Sequence, residues 1–333
     1  MVVTTRRGLF ALGAAAGVGM LAAGCTDPSP GTVDARLTIG LTYVPNVQFA
    51  PFYLAQREGY FTDAGVDVTL RHHGESEDLF GALSGGREQI VVAGGDEMMQ
   101  ARSGGIDVVS VATLYQTYPV TLIVPTGSAI AAPADLAGRI VGVPGEYGET
   151  WFGLLAMLAD AGLTTDDVTV SSIGYTQQAA LAGGHVDAVM GFVNNDVPQF
   201  QATGLDVTAV GIGDVDLVGI GLGTTARMTE QQASALTGVI EAVGRAVIEI
   251  AADPTLAVDA AAEQIPGSIS DSQREIMAQV AEATVPLYGD LTGPWGLQDA
   301  DRWEAMADTM LELGLIETAV PAEEAFSNDF VGE

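Results

Sequence analysis

Leu37-Thr38-Ile39-Gly40-Leu41, Phe49 to Glu58, Val66-Asp67-Val68-Thr69-Leu70, Glu75 to Ser84 and Gln89 to Ala93 read in turn as strand, helix, strand, helix and strand. Short β-branched runs alternating with helical segments are the pattern of a doubly wound α/β sheet. The same order returns further on: Arg139 to Val143, Thr150 to Ala161, Val168 to Ser172, Gln177 to Ala182 and Val186 to Met190. Each series contains a helix ending in Ala-Leu-x-Gly-Gly, at Ala82-Leu83-Ser84-Gly85-Gly86 and at Ala180-Leu181-Ala182-Gly183-Gly184. Glycine there permits the left-handed turn that stops a helix. The repeat predicts two similar lobes.

Superposing the two landmarks sets Asp96 on Asn194 and Glu97 on Asn195, each pair following the third strand of its lobe. Ligands of open α/β sheets bind at the carboxyl ends of the strands, so the two polar pairs are expected to face each other across a cleft. For Asp96 and Glu97 the alternative role is helix N-capping after Gly95, and for Asn194 and Asn195 an ordinary loop role. Pro119 to Pro125 and Leu217 to Gly223 are the candidate inter-lobe connections, hinges of the kind that let lobes close on a ligand. The expected division is a signal peptide over 1–24, a linker over 25–35, one lobe from 36–122 with 219–333, and a second lobe over 123–218. After Met228, apolar residues recur at helical intervals in Ala233 to Ile250, Ile276 to Leu287 and Asp299 to Leu313. These helices are expected on the first lobe. Leu41, Val91, Val92, Ile140, Val141, Leu154, Leu155 and Val189 are expected in the core.

The 333 residues hold 12 basic side chains against 43 acidic ones, and all twelve are arginine. Without lysine there is no Schiff-base chemistry, no lysine-attached pyridoxal phosphate and no phosphate-loop lysine. A formal charge of −31 disfavours nucleic acid as a partner. Arg6-Arg7, an uncharged run from Gly8 to Gly24, and Leu21-Ala22-Ala23-Gly24-Cys25 read as an export signal ending in a lipobox. The run is too short and too weakly apolar for a membrane span. Cys25 is the only cysteine, so an intramolecular disulfide is excluded and Cys25 is the expected lipidation site, anchoring the exported body to the outer face of the cytoplasmic membrane. Cleavage there would leave a charge near −33, mostly a solvation layer that salt screens.

Tyr43-Val44-Pro45-Asn46, Phe52-Tyr53-Leu54-Ala55, Glu58 to Val68, Asp135 to Val143 and Val186-Asp187-Ala188-Val189 resemble the extracytoplasmic solute-binding proteins of ABC importers. The branch resembled includes binders of thiamine pyrimidine precursors, alkanesulfonates, taurine and nitrate. The resemblance implies a type II periplasmic-binding-protein-like α/β fold, two doubly wound lobes joined by two crossover strands. It also implies a monomer that delivers a small-molecule solute to an ABC permease. The Pro-Asn and Asn-Asn pairs look most like the pyrimidine-precursor branch. Where that branch usually continues toward a histidine, this chain has Val47-Gln48-Phe49, and Phe49 suggests ring stacking. Related binders are thought to carry flavins, larger and equally flat.

The expected ligand-binding residues are Asn46, Phe49, Tyr53, Asp96, Glu97, Tyr115, Gln116, Glu146, Tyr147, Asn194 and Asn195. Carboxylates accept hydrogen bonds from an amino-substituted ring edge, and carboxamides present one donor and one acceptor, so these groups suit an uncharged nitrogen heterocycle. Tyr115, Gln116, Tyr118 and Tyr147 are stacking or rim candidates. Asp96, Glu97 and Glu146 would oppose a sulfonate or nitrate, which is the alternative ligand class. A solute-sensing module is a further alternative. Neither a cofactor nor a metal is expected: adjacent His72 and His73 point to opposite faces of a strand, and His185 stands apart. The same fold serves a pyrimidine synthase that needs a pyridoxal-bearing lysine, which is missing here, so no enzyme is expected.

Overall fold

The computed structural model describes residues 35–74, 78–213 and 215–332. The expected signal peptide, Cys25 and most of the linker lie outside the described residues, as do Glu75, Ser76 and Glu77 at the start of one expected helix.

The first sheet is built from β1 (Ala35–Leu41), β2 (Val66–His72), β3 (Ile90–Gly94), β4 (Val108–Thr113) and β10 (Ile220–Thr225), in the order β2-β1-β3-β10-β4. The second holds β5 (Val120–Pro125), β6 (Ile140–Val143), β7 (Thr169–Ser172), β8 (Ala188–Phe192) and β9 (Val207–Val210), in the order β7-β6-β8-β5-β9. Four strands of each sheet run in one direction, and the fourth in order is antiparallel to both of its neighbours. That fourth strand is in each case the one formed just after the chain crosses over. The two sheets are thus the same sheet twice.

Around them stand α1 (Ala50–Arg57), α2 (Tyr60–Asp63), α3 (Leu79–Ser84), α4 (Gly95–Ser103), α5 (Gly148–Asp160), α6 (Gln177–Ala182) and α7 (Asp196–Ala202). The helical tail comprises α8 (Ala226–Gln231), α9 (Ala233–Ala252), α10 (Thr255–Gln264), α11 (Asp271–Thr284), α12 (Ala300–Glu312) and α13 (Ala322–Ala325).

The repeat keeps its register. Helix α3 and strand β3 begin and end 98 positions before α6 and β8. Both helices stop in the same way: Gly86 at φ +72° and Gly184 at φ +65° take the left-handed conformation. Arg87 N–H returns to Ala82 O at 3.0 Å, and His185 N–H to Ala180 O at 3.0 Å, which satisfies the last helical carbonyls.

Two expectations need correction. The first connection between sheets runs from Leu114 to Pro119, because Val120, Thr121 and Leu122 already pair with Phe192, Gly191 and Met190 in β8. The expected lobe boundary at 122 therefore falls inside a strand of the second sheet. Of the tail, α9, α10 and α11 pack on the core of the first sheet. Trp303, Met306, Ala307 and Met310 of α12 instead join Leu122, Val141, Leu154 and Met190 in the core of the second. A 3.6-residue period identifies the apolar face of a helix but not the sheet that buries it. Leu41, Val91, Val92, Val141, Leu154 and Val189 are fully buried, whereas Ile140 is exposed at the entry of β6 and Leu155 only half-buried.

Candidate functional site

The carboxyl ends of the two sheets meet at a seam. Helix α4 begins directly after β3, and Glu97 in its first turn folds back so that Oε2 accepts from Gly94 N–H at 3.1 Å. Asp96 points into the protein with no exposed surface. Its Oδ2 lies 2.6 Å from the hydroxyl of Tyr118, and the same hydroxyl lies 2.9 Å from the backbone carbonyl of Glu149. Glu149 stands in the first turn of α5, in the second lobe. Gly94 keeps the lobes this close: a Cβ there would lie 2.8 Å from Cγ of Glu149 and would strike the Asp96 carboxylate. A Cβ on Gly148, itself left-handed at φ +69°, would come 3.3 Å from Oε1 of Glu97. Three carboxylates from two lobes therefore share one buried neighbourhood.

Burial pushes all three carboxyls up, reinforced at Asp96 and Glu149 by repulsion from their neighbours: Asp96 to about 8, Glu97 upward, and Glu149 well above the usual range. Helix N-termini favour nearby negative charge, but two such termini do not offset mutual proximity and desolvation. The Glu149 side chain is 8% exposed and its Oε1 has no hydrogen-bond partner.

Asn194 closes the seam from the second lobe. It is fully buried, its Nδ2 donates to Thr284 Oγ1 of α11 at 2.9 Å, and its Oδ1 has no partner. Buried Tyr115, whose phenol is pushed up by burial and by Glu149, stacks at a tilt on Tyr288 with centroids 5.9 Å apart. Farther out, Asn46 Nδ2 reaches Asn195 Oδ1 at 3.4 Å, and the rings of Tyr43 and Tyr175 approach to 5.5 Å. Both are contacts between lobes.

The remaining expected residues divide. Phe49 and Tyr53 are buried against His72, Phe49 edge-on at 5.5 Å and Tyr53 through its hydroxyl at 2.9 Å from Nε2. Because Nδ1 of His72 faces the carbonyl oxygen of Tyr43 at 2.7 Å, Nδ1 carries the proton and Nε2 accepts from Tyr53. Burial lowers the pKa of that imidazole, in keeping with the neutral tautomer. His73 turns the other way to the buried Glu88, at 2.7 Å. Gln116 donates to Leu297 O at 2.9 Å and so braces the tail. Glu146 and Tyr147 are exposed, Tyr147 lying over Gly145. The structure thus joins Asp96, Glu97, Tyr115, Asn194, Asn46 and Asn195 along the seam, and leaves Gln116, Glu146 and Tyr147 outside it. Glu149 and Thr284, absent from the sequence-derived set, belong to it. A surface cavity of about 570 Å³ beside α9, lined by Ala64, Ser234 and Phe330, contains none of these residues.

Comparison with known proteins agrees with this architecture. The family model described as "NMT1/THI5 like" matches residues 46–257, which span β3, β8 and the whole seam except Thr284. The chain belongs to the NMT1/THI5-like family. Among relatives, this family member is 29% identical to the riboflavin-binding protein RibY of Chloroflexus aurantiacus, over 94% of this chain and 95% of that one. It is 24% identical to the formylaminopyrimidine-binding protein of Halalkalibacterium halodurans, over 86% and 88%. The 4-amino-5-hydroxymethyl-2-methylpyrimidine phosphate synthase of Legionella pneumophila is 25% identical over about half of each chain. Among solved structures, the periplasmic aliphatic sulphonate binding protein SsuA from Escherichia coli superposes with a TM-score of 0.69 at 17% identity, over 87% of this chain and 91% of that one. That likeness shows the fold: a two-lobed periplasmic-binding-protein architecture, as the repeated lobes imply.

Proposed function

We propose that this NMT1/THI5-like protein is an extracytoplasmic receptor that closes its two lobes on a small planar nitrogen heterocycle, a thiamine pyrimidine precursor or a flavin, and delivers it to an ABC permease. The observation that carries the reading is the pair of buried acceptors without partners, Glu149 Oε1 and Asn194 Oδ1. An acceptor left unpaired in a dry site costs free energy until a donor reaches it, and both stand where the lobes meet. A ring bearing N–H groups supplies such donors; a sulfonate or nitrate supplies only further acceptors and a negative charge, and none of the seam residues is a cation that could receive it. The names of two relatives, one for riboflavin and one for formylaminopyrimidine, point to the same ligand class. Transport rather than turnover is supported by the two relatives that match nearly end to end being binding proteins, and by the absence of any lysine to hold pyridoxal phosphate. Cys25 is the residue through which the body would be lipid-anchored.

Calorimetric titration with riboflavin, formylaminopyrimidine, taurine and nitrate tests the reading. Heat from either heterocycle and none from the anions is the expected result; tighter binding of the anions overturns it.

A further inference from the structure

Tyr118 has one hydroxyl hydrogen and two acceptors within reach, Asp96 Oδ2 at 2.6 Å and Glu149 O at 2.9 Å. One hydrogen serves one of them. If Asp96 carries a proton on Oδ2, the chain closes: Asp96 donates to the phenol oxygen and the phenol donates to the carbonyl. Beside this chain, Glu149 Oε1 is buried and unpartnered, an arrangement that a charged carboxylate tolerates badly and a protonated one tolerates far better.

We propose that a proton is a co-ligand of the closed cleft: closing the lobes brings Asp96, Glu97 and Glu149 together, and the seam takes up at least one proton as it forms. Acidification therefore closes the protein and tightens its hold on the solute, and alkalinisation opens it. The proposal rests on the reading of the seam as a solute cleft that opens and closes.

Among the described residues, the surroundings offer no free positive charge in the proton's place. Tyr118 and Tyr115 are the other titratable groups turned to the trio. On the elements packed against α4 and α5, Arg102 is held by Asp107 and Glu324, and Arg302 by the backbone carbonyl of Gln116. The remaining charged groups there, Asp135, Asp160, Asp301, Glu304, Asp308, Glu312 and Glu323, are all acidic. The upward shift of the three carboxyls, Asp96 to about 8, agrees in direction. With the lobes apart, the same groups face water and return toward the ordinary carboxylate range near 4, so closing is linked to proton uptake between those two values.

Small-angle X-ray scattering of the ligand-free full chain at pH 5.5 and pH 8.5 tests this without a solute. The radius of gyration is expected to be smaller at pH 5.5, and the double variant Asp96→Asn, Glu149→Gln to be compact at both. An unchanged wild-type radius, or a pH response that survives in the double variant, overturns the proposal. Should that variant fail to fold, carbon-13 NMR of carboxyl-labelled wild type decides: a carboxyl titrating above pH 7 supports the proposal, and titration of every carboxyl below pH 6 overturns it. With riboflavin as probe, affinity should fall about tenfold per pH unit between 5.5 and 7.5 for one linked proton. Absence of riboflavin binding at either pH, with the scattering response intact, would count against the solute reading alone. Equal affinity at both would count against the proton.

Discussion

Tyr118, in the connection between the sheets, and Asp96, at the head of α4, are joined by a 2.6 Å hydrogen bond that no solvent reaches. The same phenol touches the Glu149 carbonyl, so one side chain fixes the first lobe, the crossing segment and the second lobe at a single point. Tyr118→Phe leaves Asp96 and that carbonyl without their shared partner. It should cost about 1–3 kcal/mol, read as a lower urea midpoint with an unchanged slope.

Removal of the Asn194 carboxamide strips Thr284 of its cross-lobe donor and, on the proposed function, the solute of an acceptor. Asn194→Ala should weaken heterocycle binding by roughly 1–3 kcal/mol in a calorimetric titration. Asn46→Ala should cost less than about 1 kcal/mol, because its bond to Asn195 is long at 3.4 Å and partly exposed. Equal losses from the two would place the seam's energetic centre elsewhere.

Stability should fall on the alkaline side. Burial raises the folded-state pKa of Asp96 to about 8 and of Asp196 to about 6, both above the unfolded value near 4. A group raised on folding contributes stability that is fully present below its unfolded pKa and is lost as pH rises through the folded one. The melting temperature should therefore decline from pH 5 through pH 8.5, and Asp96→Asn should flatten the upper part of that decline. A melting temperature that rises across this range would contradict the burial of these acids.

Helix α12 should behave as part of the second lobe. Trp303 is 1% exposed and stacks on Phe326 with the rings 5.6 Å apart and 14° from parallel. Trp303→Ala should cost about 3–5 kcal/mol in urea unfolding. Hydrogen exchange should show the added lability in β5 and β6 before β1 and β2.

The repeat was legible because glycine has few substitutes at a left-handed turn. Gly86 and Gly184 mark equivalent points, and from them the register carries correctly along α3, β3, α6 and β8, placing Asp96 and Asn194 at matching strand ends. There the correspondence stops. Asp96 lies inside a helix that starts at once, whereas Asn194 lies in a turn ahead of α7, and no local residue pattern separates the two. Glu149 escaped notice for a related reason. Gly148 at φ +69° resets the chain at the first residue of α5, so Glu149 is turned into the seam and Glu146, three residues earlier, is left in solvent. Propensity identifies the helix but does not fix which of two nearby acids its first turn buries. The burial of Phe49 and Tyr53 against His72 is equally a tertiary fact, set by the pairing of β1 with β2.

The place of β10 between β3 and β4 bears on how the protein is made. Among the described strands, β4 hydrogen-bonds to β10 alone, so Val108–Thr113 waits for a neighbour that lies more than a hundred residues downstream. The second sheet has no such debt: all five of its strands fall in the unbroken stretch from Val120 to Val210. On a chain that emerges from its amino end, the sheet encoded in the middle is therefore the first whose strands can all pair, although α12 joins its core only later. The sheet encoded first is the last, its strands all paired only when Ile220–Thr225 arrives.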